Sequence, residues 1–224
     1  MITFSREVQV AKEKKAPIVA LESTIIAHGL PRPRNLEVAI EVEKLVRDSG
    51  ATPATIAIID GEIHVGLESS ELDRVANNPD VVKASIRDLP FATVNKLTAA
   101  TTVAATSHIA NLSGIEFFAT GGLGGVHRGD DLDESADLLA LATIPVLVVC
   151  AGVKSILGYK TKKFPGFYLA DSGQELEHFA DSPNAIAKLW QAKKAMGLSK
   201  KGMVVASPTK TPMAKELHDK LLNE

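Results

Sequence analysis

The chain has 224 residues, 45% of them hydrophobic and 23% charged, a balance near globular averages that argues against disorder. Its 25 basic and 27 acidic residues leave a formal charge of −2. No run of Lys and Arg is long enough to track a nucleic-acid backbone, so the expected partner is a small molecule, with no nucleic acid and no membrane.

The single cysteine, Cys150, excludes an internal disulfide framework and fits a reducing compartment. No apolar run approaches the roughly 18 residues of a membrane span. The opening MITFSREVQVAKEKK lacks the apolar stretch of a signal peptide. A soluble, cytoplasmic protein is expected.

Short apolar runs rich in β-branched and aromatic residues read as buried strands: PIVAL (17–21), ATIAIID (54–60), IEFFAT (115–120), PVLVVC (145–150) and GMVVAS (202–207). After the first of them, NLEVAIEVEKLVRDSG (35–50) places Leu36, Ala39, Ile40, Glu43 and Val46 at helical spacing and closes on Gly50 as C-cap. GEIHVGL (61–67) alternates and fits a hairpin with the strand before it. TAATTVAATSHIANL (98–112) reads as one buried helix, and 185–196 and 212–222 as amphipathic helices. Alternating strands and helices predict an α/β fold with a largely parallel central sheet. With no internal repeat or linker, residues 1–224 read as one domain.

Ligands of open α/β sheets sit beyond the carboxyl ends of strands. Three predicted strands end in chemically rich segments: VALESTIIAHGLPRPRN (19–35), FFATGGLGGVHRGDDLDESADL (117–138) and VLVVCAGVKSIL (146–157). In the second, the glycines miss both the dinucleotide fingerprint and the P-loop. Gly121, Gly122, Gly124 and Gly125 fit either a cradle of backbone N–H groups for an anion, supported by His127 or Arg128, or a sharp turn. The acids Asp130, Asp131, Asp133, Glu134 and Asp137 fit either a hard divalent cation or a solvated loop entering a helix.

Lys154 follows an apolar strand, where desolvation disfavours the ammonium form and frees the amine to attack a carbonyl; an exposed junction lysine is the plain alternative. Glu22 likewise suits a general acid or a backbone cap. His28 fits a hydrogen-bonded structural role, and Cys150 fits the core.

The segments VALESTIIAHGLPRPRN, GATPATIAIIDGEIHVGL, ATGGLGGVHRG and VVCAGVKSIL closely resemble, in order, those of the pseudouridine-5′-phosphate glycosidase family. The resemblance implies a homotrimeric protein of three-layer α/β/α fold. It implies cleavage of the C–C glycosidic bond of pseudouridine 5′-phosphate to uracil and ribose 5-phosphate, with Mn²⁺ or another divalent cation. By motif, Lys154 matches the nucleophile that forms an imine with the opened ribose, Glu22 the proton donor and Asp133 the metal ligand. Ser135, Ala136 and Asp137 match a substrate-contacting segment, Lys83 and Val103 further substrate positions, and His127 with Arg128 the phosphate's neighbourhood.

The chain departs from the family's pattern where Leu157 runs directly into Gly158–Tyr159, without a further helical segment, and where it ends at LHDKLLNE. A second expectation therefore stands beside the enzyme: a non-catalytic homologue that binds phosphosugars or stabilises an assembly. A different lysine-imine enzyme is a third reading.

Overall fold

A computed structural model describes residues 2–124, 135–151, 157–159, 178–198 and 202–208. They fall into two compact units, residues 1–119 and 120–224.

The first unit opens with strand β1 (Ile2–Phe4) and helix α1 (Arg6–Glu13), whose first turn is capped by Ser5. Strand β2 (Ile18–Leu21) leads through a π-helical turn, Ile25–Gly29, into helix α2 (Arg34–Asp48). Strand β3 (Thr52–Ile59) is the spine of the unit. It alternates Ala57 and Ile59 toward one face and Ile56 and Ile58 toward the other, and all four are buried. A strand covered on both faces reads in sequence as a continuous apolar run rather than an alternation, which is why ATIAIID was legible.

Asp60 and Gly61, both at positive φ, turn the chain into β4 (Glu62–Val65), which pairs antiparallel with β3 as the expected hairpin. Gly61 is also sterically required, since a Cβ there would stand 2.6 Å from the Thr93 carbonyl oxygen.

Helix α3 (Ser69–Asn77) follows, then strand β5 (Val82–Ala84), a short 3₁₀ turn, helix α4 (Leu89–Val94) and strand β6 (Ala99–Thr101). Helix α5 (Val103–Leu112) and strand β7 (Phe117–Thr120) complete this stretch of chain. β2 runs parallel to both β3 and β7, β1 parallel to β4, and β5 parallel to β6. Only the β3–β4 and β3–β6 pairs are antiparallel among those described in this unit. One face of β3 packs through Ala57 and Ile59 against Ile26, Ala39, Leu72, Val75 and Ala76, from the π-helical turn, α2 and α3.

Two expectations are corrected here. Residues 98–112 are not one helix: Ala99–Thr101 join the sheet, and Thr102 caps a helix that starts at Val103 by accepting from the Ala105 N–H. Alanine tolerates either state, so the waiting edges of β3 and β5 decide it. The buried stripe of α2 is Asn35, Ala39 and Glu43, whereas Ile40 is 53% exposed. Two polar residues occupy the inner face because each is met by hydrogen bonds. The Thr55 hydroxyl donates to Glu43 at 2.6 Å, and Arg47 pairs with the same carboxylate at 3.1 Å.

The second unit contains helix α6 (Ala136–Thr143), strands β8 (Leu147–Cys150), β9 (Leu157–Tyr159) and β10 (His178–Ala180), helix α7 (Pro183–Ala195) and strand β11 (Met203–Ala206). The four strands are all parallel, in the order β8–β11–β9–β10. Trp190 of α7 is buried over Leu147, Ala180 and Val205. Cys150 is core, as expected, its thiol 3.7 Å from the Val205 carbonyl. The expected helix 212–222 lies outside the described residues. The molecule is thus an α/β protein with largely parallel sheet, and no described helix is long and apolar enough to cross a membrane.

Candidate active site

In the first unit the site grows from the way two strands meet. β2 pairs with residues 52–55 of β3, and β6 pairs with Ala57 and Ile58. The Thr55 carbonyl accepts from Gly66 on the β4 side. By strand alternation the Ile56 carbonyl points to the opposite edge, where β2 and β6 lie. β2 is parallel to β3 and β6 antiparallel to it, so their carboxyl ends face each other across Ile56.

That junction holds three of the expected residues. Glu22 is the first residue beyond β2 and is half-buried. Lys83 of β5 is exposed and in register with Ala100 of β6. Val103 is the first residue of α5, two beyond Thr101. Its side chain is buried, which leaves the backbone of the helix's first turn as the part this position offers a ligand. The fold therefore gathers Glu22, Lys83 and Val103 around the end of β6.

Sequence reasoning missed what binds the junction together. Ser23, Thr101 and Thr106 are each fully buried. The Ser23 and Thr101 hydroxyls both donate to the Ile56 carbonyl at 2.7 Å, and the Thr101 N–H donates to Ser23 Oγ at 2.9 Å. The Thr24 hydroxyl donates to the Thr101 carbonyl at 2.8 Å. The readable signal was a Ser-Thr and a Thr-Thr pair, each at the end of an apolar run. Asn35 was missed as well. Its amide donates to the carbonyls of Ile26 and Ala76, both at 2.8 Å, and so ties the π-helical turn after Glu22 to α3. Single π turns often mark functional sites. His28, at the end of that turn, is exposed.

In the second unit Ser135 caps α6 by accepting from the Asp137 N–H at 3.2 Å, so Ser135, Ala136 and Asp137 form the helix entrance. The buried Asp137 carboxylate accepts from the Gly124 N–H at 2.9 Å. The Gly122 N–H meets the Thr120 hydroxyl at 3.3 Å. Two of the glycine N–H groups expected to cradle an anion are thus engaged by the chain itself. Gly125, His127, Arg128, Asp133 and Lys154 lie outside the described residues, and among the described residues no three His, Cys, Asp or Glu side chains stand together as a metal site.

A largely parallel α/β fold with polar side chains gathered where β2 and β6 end is of the class in which small-molecule sites lie beyond the carboxyl ends of strands. More particularly, the chain belongs to the family of indigoidine synthase A-like proteins, which matches it over residues 7–159 and 156–224. A relative from Salinispora tropica, named pseudouridine-5′-phosphate glycosidase, is 51% identical over 229 residues, covering 93% of this chain and 71% of the relative. One of the same name from Frankia alni is 48% identical over 242 residues, covering 99% and 67%.

Among solved structures, an indigoidine synthase A-like protein from Thermotoga maritima superposes with a TM-score of 0.88 at 29% identity, covering all of this chain and 80% of its own. The prealnumycin C-glycosynthase AlnA, solved with ribulose 5-phosphate, also gives 0.88, at 32% identity, covering 98% of this chain and 78% of its own.

Proposed function

We propose that this protein cleaves the carbon–carbon glycosidic bond of pseudouridine 5′-phosphate, reversibly, to uracil and ribose 5-phosphate. The observation that carries the reading is 51% identity, over 93% of the chain, to a protein named for that substrate. The fold shared with a C-glycosynthase that holds a pentose phosphate supports the same substrate class.

A C–C glycoside has no leaving-group oxygen to protonate, so the two-carboxylate route of ordinary glycosidases does not suit it. A lysine route does. As the C1′–O4′ bond opens, Glu22 delivers a proton to O4′ and the Lys154 amine bonds to C1′. The bond from C1′ to uracil then breaks, its electron pair stays with the uracil carbon, which takes a proton, and C1′ is left as the lysine imine. Water hydrolyses the imine, releasing ribose 5-phosphate and restoring the amine. On this reading the enzyme is a lyase. Lys83, the backbone at Val103, and Ser135 to Asp137 are assigned to the substrate, and His127 with Arg128 to its phosphate, as the family resemblance implies.

A divalent cation such as Mn²⁺ and a homotrimer belong to the same reading. The described residues do not themselves form a metal site, and the Asp137 carboxylate is met by the Gly124 amide. In this reading the ion's ligand is Asp133, which the family resemblance implies, and no step is assigned to the ion.

The test is uracil release from pseudouridine 5′-phosphate with Mn²⁺ present. Glu22→Gln keeps the shape and removes the acid, and should lower kcat by about 10²- to 10⁴-fold with the fold intact. No uracil from folded, metal-supplied protein would leave a phosphosugar-binding protein as the better account.

A further inference from the structure

The end-to-end meeting of β2 and β6 creates a problem that the sheet cannot solve with backbone alone. Where one strand stops and another begins along an edge, the facing carbonyl loses its ladder partner, and an unmet polar group in a dry interior is costly. The Ile56 carbonyl is in that position, in a residue with no exposed surface. Here it receives two hydroxyl protons, one from each strand, at 2.7 Å from Ser23 and 2.7 Å from Thr101.

The protons can be assigned by elimination. Both the Ser23 and the Thr101 hydroxyl hydrogens are committed to Ile56. In the 2.9 Å contact between Thr101 Oγ1 and Thr106 Oγ1, Thr106 of α5 must therefore be the donor. The Thr101 backbone is met on both sides by the segment that follows β2, its N–H by Ser23 Oγ and its carbonyl by the Thr24 hydroxyl. The Thr101 backbone groups are thus satisfied by side chains from across the joint, the Ile56 carbonyl receives a hydroxyl from each side of it, and α5 is tied to the same point.

The residues leaving this joint are Glu22 on one side and Val103 on the other. Lys83 stands alongside, because Ala84 pairs in register with Thr101 and its carbonyl accepts from the Thr102 N–H at 3.0 Å. One hydroxyl would be enough to satisfy the Ile56 carbonyl, yet one is supplied from each side of the joint. Hydroxyls add direction: each hydrogen bond fixes where one strand stops relative to the other.

We propose that Thr101, together with Ser23, is a positioning residue that sets the placement of the Glu22 carboxyl. The assignment rests on the reading of Glu22 as the proton donor. Neither hydroxyl touches the substrate in this account; both act through the backbone from which Glu22 projects.

Two variants at one position separate positioning from mere stability. Thr101→Val keeps the shape and removes the hydroxyl, leaving Ile56 with one donor and Thr106 without its acceptor. Thr101→Ser keeps the hydroxyl. The first readout, independent of turnover, is a ¹³C-detected titration of the Glu22 carboxyl in each folded protein. Thr101→Val should move its midpoint by about half a pH unit or more, and Thr101→Ser should return it to the parent position. The second is the kcat–pH profile. Thr101→Val should lower kcat roughly tenfold and displace the limb governed by Glu22, while KM stays within about threefold.

If Thr101→Val fails to fold, Ser23→Ala makes the same cut from the other strand. A variant that only melts earlier, with the Glu22 titration and the pH limb unmoved, would overturn the proposal. Absence of turnover in the parent protein would instead sink the proposed reaction, and the titration would still decide whether the joint positions Glu22.

Discussion

At Gly124 the chain passes so close to the entrance of α6 that a single methyl group would collide with the Ser135 hydroxyl and stand 2.7 Å from Ser135 Cβ. The same residue's N–H is held by the Asp137 carboxylate. Glycine is needed here for proximity, since the backbone must come within hydrogen-bond reach of a buried acid. The anion that this part of the glycine-rich loop receives belongs to the protein itself. Gly124→Ala should therefore push Ser135 and Asp137 out of place. It should cost about 1–3 kcal/mol of stability, the usual range for overpacking, and reduce kcat/KM with it, because the disturbed residues are the substrate-contacting segment of the proposed site. Urea unfolding and steady-state kinetics on one preparation check both effects, and a variant unchanged in both would contradict the packing argument.

Among the elements, the β3–β4 hairpin shows a paired charge with a clear pH signature. Arg74 of α3 donates two hydrogen bonds to Asp60 at the turn, at 2.8 and 2.5 Å. They hold the Asp60 carboxyl below its ordinary value, chiefly through that hydrogen bonding and then through the guanidinium charge. A carboxylate depressed in the folded state adds stability above its unfolded pKa, near 3.9, and loses it as the pH falls through the lower, folded value. Asp60→Asn should therefore melt below the parent protein at neutral pH, and the gap should close on acidification below about pH 4. Thermal melts at neutral and acid pH check this. A gap independent of pH would mean that Asp60 acts through its backbone turn alone. The pair is solvent-exposed, so the effect should be small.

The hairpin was legible in sequence because GEIHVGL alternates directly after a buried apolar strand. The α2 stripe was not fully legible. Apolar periodicity favoured Ile40, whereas tertiary partners at Ile26, Ala76 and Thr55 let Asn35 and Glu43 take the inner face. β6 was illegible for a related reason: Ala-Ala-Thr carries no period of its own, and its state is set by strands distant in sequence. The positions of Glu22, Lys83 and Val103 could be named from motif. Their common origin at one joint could not, since it depends on two strands meeting along a third.

For the whole molecule, the family match, the shared fold and the phosphosugar seen in a structural relative all bear on one reaction. As proposed above, that reaction turns on a covalent bond between Lys154 and C1′ of a pentose phosphate. Borohydride reduction of the protein with ribose 5-phosphate, followed by peptide mapping, tests it most directly. The account predicts a stable adduct on the peptide that carries Lys154, absent after Lys154→Ala. No adduct from folded protein supplied with Mn²⁺, or an adduct confined to another lysine, would contradict it.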